Sequence, residues 1–304
     1  MTITYNGADI TGITQVNQCL YRESSGGKCD SLDIEFDNAQ GWIRWKPTTD
    51  DVISAEHMGC KTGKMYVRNF VTEDGKMRMI ATSLPSHSQN EVYRSYKDKT
   101  TEEIMRACAM ETGFDYALYG IDGGSMWKYA ESRKEGCVAF LNRIARMEGA
   151  VLKCVGGRYA MIGLKWAQER TAQQTIEIWP DTPGCVHKLI GKKLKELTVS
   201  TANGNNRAED TSVNDGENKV VTDVPARDDI QAGRIARGLL MHENRDYEVL
   251  EIESVMNAGF ASMCRIDITG SEDTAGEWIV DEAEHDFVNG TSRAWLKRCI
   301  HHVR

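Results

Sequence analysis

Three histidine–cysteine pairs stand close enough along the chain to suggest metal ligands. The pairs are His57 with Cys60, Cys185 with His187, and Cys299 with His301. A structural zinc ion needs four such ligands, and a catalytic one needs three plus water. Because no pair has a matching second pair at a standard spacing, the sequence predicts no metal site. We interpret these side chains as isolated core or surface residues.

Calcium binding and catalysis find no better support. Asn214–Gly216 looks like part of a calcium loop, but Thr211 and Val213 break the pattern D-x-[DN]-x-[DN]-G. There is no G-x-S-x-G turn for a nucleophilic serine. His285 stands in the acidic run Asp281–Asp286 and is a conceivable general acid or base. A polar strand face with a charged rim is the preferred interpretation, so we predict no catalytic residue, no cofactor and no enzyme.

Three further motifs have ordinary structural interpretations. Gly156-Gly157 separates two strand-like segments, which indicates a hairpin turn and not a phosphate-binding loop. Asn289–Thr291 is a formal glycosylation sequon, which matters only in a secreted protein. Trp42 and Trp45 would offer an aromatic platform for a glycan, but their three-residue spacing in a predicted loop favours packing.

The composition is that of an ordinary globular chain with an acidic balance. Of 304 residues, 40% are hydrophobic and 27% charged, and the formal net charge is −8. This length predicts about two domains, or three small ones. No stretch approaches the roughly 18 apolar residues of a membrane span, and residues 1–10 lack a secretory signal. Phosphate binding needs clustered lysine and arginine, so we expect no specific nucleic-acid binding. An acidic surface would repel DNA.

The cysteines do not form a disulfide framework. There are nine, an odd number, and none is in a C-x-x-C pair. Disulfide scaffolds are normally denser and shorter than this chain. We therefore predict reduced, mostly buried apolar cysteines and synthesis in the cytoplasm.

The first hundred residues have the pattern of short strands. Ser31–Asp37 alternates apolar and polar residues, which indicates a half-buried strand. Lys64–Glu73 and Lys76–Ser83 flank Asp74-Gly75, a dipeptide typical of a type I′ hairpin. Val92–Tyr96 would add another strand. Several short strands separated by turns indicate a barrel or a sandwich.

The middle of the chain changes to helices. Thr100 with Glu103 and Ser132 with Glu135 both fit a capping box. The second of these predicts a helix that ends at Gly149 and is followed by a hairpin over residues 150–162. Further on, Asp228 is placed to cap a third helix over Asp229–Glu243.

The remaining segments alternate again. The predicted strands are Thr175–Trp179, Leu194–Ser200, Tyr247–Val255, Met263–Thr269, Glu277–Ala283 and Thr291–Ile300. Residues 202–218 carry almost no apolar side chains, so we predict a mobile loop or a segment that orders on assembly.

The central segment carries the most distinctive pattern. Trp127–Ser132 is followed by Phe140–Gly149, which reads F-L-N-R-I-A-R-M-E-G, and then by the predicted hairpin. This order resembles the late control gene D family of phage tail proteins. In that family an E-S pair precedes a helix reading F-L-x-R-[LI]-A, which ends at E-G and leads into a hairpin.

The flanking segments are similar to the same family. Ala81–Pro85 precedes Tyr93–Tyr96 and a helix start at Thr101–Ile104. Near the end of the sequence, the helix over Asp229–Met241 and the segment Glu277–His285 resemble the closing pattern of the family. The resemblance covers most of the chain through the order and spacing of these motifs.

The resemblance implies a β-rich α+β fold with two small tube-like β-barrel domains and an intervening α/β region. We assign residues 1–98 to the first barrel, 99–190 to the α/β region with two helices and a hairpin, and 191–304 to the second barrel, including its helix and the loop 202–218. The implied function is a structural, non-enzymatic baseplate or tail-tip hub of a contractile tail. Three copies would form a pseudo-sixfold ring that matches the sixfold tail tube.

The resemblance also implies the partners and the location. The expected partners are a homotrimer, the tail tube or tube-initiator proteins, a separate spike protein, other baseplate proteins, and a tape measure protein in the lumen. No repetitive β sequence of a fused spike follows the hub region, which is why the spike is expected to be separate. The expected location is the virion tail or a tail-like particle.

Two alternatives remain open at this point. One is the hub of a phage-tail-like bacteriocin or injection system, which has the same structural role in another particle. The other belongs to a different class, a glycan-binding or cell-wall-active tail component, and would need paired carboxylates in a cleft or an aromatic platform.

Overall fold

A computed structural model describes residues 1–13 and 15–304. The strands are β1 (Thr2–Tyr5), β2 (Ala8–Asp9), β3 (Val16–Ser24), β4 (Ser31–Phe36), β5 (Val52–His57), β6 (Cys60–Lys61), β7 (Met65–Glu73), β8 (Lys76–Thr82), β9 (Val92–Thr100), β10 (Asp115–Tyr119), β11 (Met126–Glu135), β12 (Ala150–Val155), β13 (Arg158–Gly163), β14 (Gln174–Ile178), β15 (Cys185–Leu189), β16 (Leu194–Ser200), β17 (Asn205–Glu209), β18 (Glu217–Val221), β19 (Glu248–Val255), β20 (Arg265–Gly270), β21 (Gly276–Asp286) and β22 (Thr291–Arg298). The helices are α1 (Ala39–Trp45), α2 (Thr101–Thr112), α3 (Cys137–Met147), α4 (Leu164–Gln168) and α5 (Asp229–Arg245), with a short 3₁₀ turn at Ser86–Gln89. The fold is α+β and rich in strands.

One long sheet runs through the molecule. Its main path is β15-β19-β22-β21-β3-β4-β8-β7-β5-β1-β2, and β6, β14 and β20 attach to it for a total of fourteen strands. The antiparallel pair β21–β3 joins strands from the two ends of the chain, with Glu284 opposite Arg22. Two apolar cores lie beneath the sheet, one under its N-terminal strands and one under its C-terminal strands. We call these two parts the N-terminal and C-terminal β units.

The rest of the chain forms a third body beside the sheet. It contains the small sheets β10-β13-β12, β9–β11 and β17-β16-β18. Helices α2, α3 and α5 contribute to a common core with these strands, and Phe140, Leu141 and Leu240 in it are fully buried. A smaller apolar cluster around Val151 and Ile279 packs this body against β21.

The sequence predicts the structure correctly where contacts between residues close in the chain determine it. The β7–β8 hairpin turns at Asp74 and Gly75, both with positive φ (50° and 77°), as a type I′ turn requires. Thr100 and Glu103 form the reciprocal capping box of α2. Asp228 caps α5 by accepting a hydrogen bond from the Gln231 N–H. These predictions are confirmed, as is the β12–β13 hairpin.

The second predicted capping box is wrong. Ser132 and Glu135 lie in strand β11, and α3 begins after Gly136 without a side-chain cap. Pairing with β9 decides the structure, because Arg94 donates to the Ser132 hydroxyl at 3.3 Å and to the Glu135 carbonyl at 3.0 Å. The predicted end at Gly149 is correct, since α3 stops at Met147.

Residues 202–218 are not a continuous loop, which corrects the prediction of a mobile segment. They contain β17 and the start of β18, which both pair with β16. The burial comes from the neighbours: Leu197 and Val199 of β16 are fully buried, and Ala208 of β17 is 1% exposed against them. A polar segment therefore orders because an apolar strand and α5 supply the core that its own sequence lacks.

Neither β unit is closed into a barrel by strand pairing within residues 1–13 and 15–304, where the long path ends at β15 and β2. Strand pairing also crosses the predicted boundaries. Strands β14 and β15 precede residue 191 but pair with β20 and β19, and β9 begins before residue 99 but pairs with β11.

In the described part of the chain, no helix has the length and apolar character needed to cross a bilayer.

The contact between α3 and α5 predicts a sharp effect at Gly238. A Cβ at this position would lie 2.4 Å from the Met147 carbonyl oxygen and 2.6 Å from the Gly149 nitrogen. Glycine to alanine normally stabilises a helix by about 1 kcal/mol, but here we expect Gly238→Ala to lower the free energy of unfolding by about 1–3 kcal/mol through overpacking. Urea denaturation measures this change in the free energy of unfolding.

Gly233→Ala is the matched control in the same helix. Its Cβ would meet the end of the Asn206 side chain at 2.7 Å, not a backbone atom, and this exposed side chain can move. A loss for Gly233→Ala equal to that for Gly238→Ala would contradict the explanation.

Candidate assembly surface

The outward side of the long sheet is a continuous polar face. Across four adjacent strands, Glu253, Arg293, Glu284 and Arg22 lie directly opposite one another in a single row. Arg293 donates to Glu253 at 2.7 Å, and Arg22 pairs with Glu284. Strand alternation places these side chains on one face and apolar neighbours on the other. We call this surface the polar face.

The polar face extends over the N-terminal β unit with the same alternation of charge. Arg78 of β8 donates through Nε to Asp33 of β4 at 2.7 Å, and Lys76 pairs with Glu35 at 2.9 Å. Exposed pairs of this kind stabilise a fold by only about 0–1 kcal/mol each. Their effect is to keep this sheet face hydrated and to balance positive with negative charge along it.

A buried ionic cluster supports the junction beneath the polar face. Lys153 of β12 lies 3.2 Å from Glu23 and 3.3 Å from Asp30, and it also contacts the Ser262 hydroxyl. Asp30 is fully buried. Burial raises the pKa of Asp30, and the Lys153 charge opposes this rise. We call Lys153, Glu23, Asp30 and Ser262 the junction cluster, because it connects the third body to both β units.

A second cluster fixes α5 against the C-terminal β unit. Arg245 is 5% exposed at its side chain and lies 2.6 Å from Asp281, which also receives Lys297 at 2.9 Å. Burial acts to raise the pKa of Asp281, but the charges of Arg245 and Lys297 outweigh it and hold that pKa below its usual range. Ser25 of the N-terminal unit donates to the same carboxylate at 2.8 Å.

The ends of the long sheet present unpaired edges. Among the described residues, β15 pairs with β19 alone. The Ile190 N–H donates to the Tyr247 carbonyl, and the Glu253 N–H donates to the Gly184 carbonyl. Antiparallel alternation from these two bonds turns the Leu189 N–H away from β19. Leu189 and Ile190 are 60% and 55% exposed, so this edge is apolar and open, which is the usual property of a strand that pairs with another chain.

The three histidine–cysteine pairs lie in three separate places, and His285 lies beside the first of them. His285 is 1% exposed in the core and not on a polar strand face. Its Nδ1 lies 2.8 Å from the Ser292 hydroxyl and 3.6 Å from the Cys60 sulfur. Burial lowers its pKa. His57 lies opposite Cys60 across β5 and β6. Glu284, the residue before His285, lies on the polar face.

The other two pairs lie in the C-terminal β unit. Cys185 and His187 are on the edge strand β15, and His187 bonds Glu248 at 2.9 Å. Cys299 and His301 follow β22 and meet Glu277 of β21. Sequence reasoning missed Glu277, since only the cross-strand register brings it to the pair. Asn214–Gly216 lies in the turn between β17 and β18.

The tryptophan pair does not form an open platform. Trp42 is 2% exposed and packs on Phe36 with ring centroids 4.5 Å apart, whereas Trp45 is 47% exposed. Both lie in helix α1 and not in the predicted loop. The interpretation of Trp42 as a packing residue is confirmed.

Comparison with solved structures identifies the fold. The 43 kDa tail protein of prophage MuSo2 from Shewanella oneidensis is similar with a TM-score of 0.75 and 10% identity over 99% of each chain. A tail protein from Neisseria meningitidis MC58 gives 0.75 and 11% identity over 98% of this chain and 95% of that one. An Escherichia coli type VI secretion system component, described as structurally similar to T4 bacteriophage tail proteins gp27 and gp5, gives 0.59 and 12% identity over 97% and 76%.

No protein-family model matches the sequence, and no curated protein matches it. The structural likeness extends over nearly the whole chain at low identity. The chain therefore has the fold of phage tail proteins.

Proposed function

We propose that this chain is the baseplate or tail-tip hub of a contractile phage-type tail, a structural component without enzymatic activity. The observation that carries the proposal is the β21–β3 junction, which joins two β units into one sheet with a single polar face. The late control gene D resemblance and the fold of phage tail proteins support the same role. In this proposal, three copies place six β units around an axis and so match a sixfold tube.

The polar face would form the wall of the central channel. Its alternating charges offer no continuous attraction to DNA or to a tape measure protein, so either passes without being held. The ring would sit between the tail tube or tube-initiator proteins and a separate spike protein. The third body would contact other baseplate proteins, and the protein would be located in the virion tail.

The predicted division into two tube-like domains becomes part of this proposal in modified form. The first unit keeps β1–β8, and the second takes β14 and β15 together with β19–β22, because these strands pair. Both units are open in the described part of the chain, so we propose that their walls close across neighbouring copies. A closed cyclic ring uses such heterologous contacts.

The hub of a tail-like bacteriocin or an injection system is the same proposal in another particle, and the type VI secretion neighbour is compatible with it. A glycan-binding tail component is less well supported. Trp42 is buried, which leaves Trp45 without the second exposed ring that a stacking platform needs.

The open β15 edge provides the test. Leu189→Pro removes the outward N–H and leaves the pairing with β19, because proline is tolerated where an edge strand faces solvent. With a tube or spike partner present, we expect each complex to contain three copies of the 34.1 kDa wild-type chain, and Leu189→Pro to stay monomeric. Analytical ultracentrifugation measures both.

Leu189→Ala is the matched control, since it removes the exposed side chain and keeps the N–H. It should still assemble, with circular dichroism showing that both variants are folded. Full assembly of folded Leu189→Pro would contradict the use of this edge, and a wild-type monomer under every condition would contradict the ring itself.

A further inference from the structure

A glutamate, a cysteine and a histidine converge where the C-terminal β unit ends. Glu277 is in β21, and Cys299 directly follows β22. The Cys299 N–H donates to the Glu277 carbonyl at 2.9 Å, so the two residues face each other across the strand pair. His301 is two residues further on, and its Nε2 lies 2.8 Å from Glu277 Oε2. A ligand atom from each of the three side chains lies within 4.8 Å of the other two.

We propose that Glu277, Cys299 and His301 bind one zinc ion, with water as the fourth ligand. Zinc accepts sulfur, imidazole nitrogen and carboxylate oxygen in tetrahedral sites with bonds of about 2.0–2.3 Å. Ligand atoms in such a site are roughly 3.3–3.8 Å apart, which small side-chain rotations from the present separations would reach. The site opens into a recess of about 520 Å³, and this leaves room for the water.

The surroundings fix the carboxylate in a suitable position. Arg265 Nη2 lies 2.7 Å from Glu277 Oε1, so the other oxygen, Oε2, remains directed at His301. Arg265 also pairs with Asp267 at 2.9 Å, which offsets its positive charge near the proposed cation. Groups that orient metal ligands in this way are a regular part of zinc sites.

Zinc at this position would also affect the residues that follow His301. The Thr211 N–H donates to the His302 carbonyl at 3.1 Å, and Arg304 and Glu209 of β17 exchange two backbone hydrogen bonds of 2.9 and 3.1 Å. Zinc would thus connect the C-terminal β unit to the small sheet.

The test is titration of the purified full-length chain, stripped with a chelator, with Co²⁺ and then Zn²⁺. We expect one equivalent of Co²⁺ to give tetrahedral visible bands and a thiolate charge-transfer band in the near ultraviolet, all displaced by Zn²⁺. Cys299→Ser should abolish the charge-transfer band, and His301→Ala should weaken affinity at least about 10-fold. The His301 side chain is 44% exposed, so its variant stays informative if Cys299→Ser does not fold.

Cys185→Ser is the matched control. Cys185, His187 and Glu248 are also one cysteine, one histidine and one glutamate. Among the described residues, however, only Glu277, Cys299 and His301 bring three ligand atoms together. The control should keep the bands unchanged. The absence of stoichiometric binding, or a charge-transfer band that survives Cys299→Ser, would overturn the proposal.

Discussion

Replacing Lys153 by methionine should lower the free energy of unfolding by about 3–5 kcal/mol, the cost of leaving buried charges without their partner. The substitution removes the cation from the junction cluster and leaves Glu23 and Asp30 facing each other. Asp30 is fully buried, so water cannot replace the ammonium group. Urea denaturation followed by circular dichroism measures the loss.

The pH dependence of this loss has a definite sign. Burial already raises the pKa of Asp30, and the loss of Lys153 should raise it further. A carboxyl whose pKa is higher in the folded state contributes stability below its unfolded pKa and loses it as pH rises. The deficit of Lys153→Met should therefore be smaller at about pH 5 than at about pH 8.

Two further variants separate the charge effect from the loss of packing. Lys153→Met with Asp30→Asn should recover part of the stability, because the buried charge is gone. Lys76→Ala breaks the exposed pair with Glu35 and should cost no more than about 1 kcal/mol. A loss for Lys153→Met as small as that for Lys76→Ala would contradict the role of the junction cluster.

Acid should destabilise the wild-type chain more steeply than the variant His242→Gln. His242 is 4% exposed in α5, and its Nε2–H donates to the Ala150 carbonyl at 2.8 Å. Burial, and then the charges of Arg245 and Arg146, lower its pKa from 6.5 to about 3. The folded chain therefore binds fewer protons than the unfolded chain between these two values, and its stability falls as pH falls through that window.

The expected difference follows from linkage. Each pH unit within the window costs about 1.4 kcal/mol, so the wild type should lose about 2 kcal/mol more than His242→Gln between about pH 8 and pH 5. Glutamine keeps a donor for Ala150. The lowered pKa of His285 acts equally in both proteins, and that of Asp281 acts below this range. Parallel stability curves would contradict a neutral, buried His242.

The elements that the sequence predicted correctly depend on contacts within a few residues. The turn at Asp74-Gly75 and the caps at Thr100 and Asp228 are local, and strand β16 matches its predicted range, Leu194–Ser200. The false box at Ser132 shows the limit of local reasoning. The same residues satisfy either a helix cap or a strand, and only the distant partner Arg94 decides between them.

Much less of the candidate assembly surface could be predicted from the sequence. Alternation in β4 and β21 indicated one wet face per strand, but the register that puts Glu284 opposite Arg22 depends on residues far apart in the chain. Lys153 looked like any strand lysine, and its burial follows from the packing of three parts of the molecule. Glu277 likewise reaches Cys299 only through the pairing of β21 and β22.

The most direct test of the proposed function is electron cryomicroscopy of the chain in a tail, or in a complex with tube and spike partners. We expect three copies in a closed ring at the end of the tube, with the polar face of every β unit lining an open axial channel. A single copy at the periphery, or a ring whose polar faces point outward, would contradict the hub proposal.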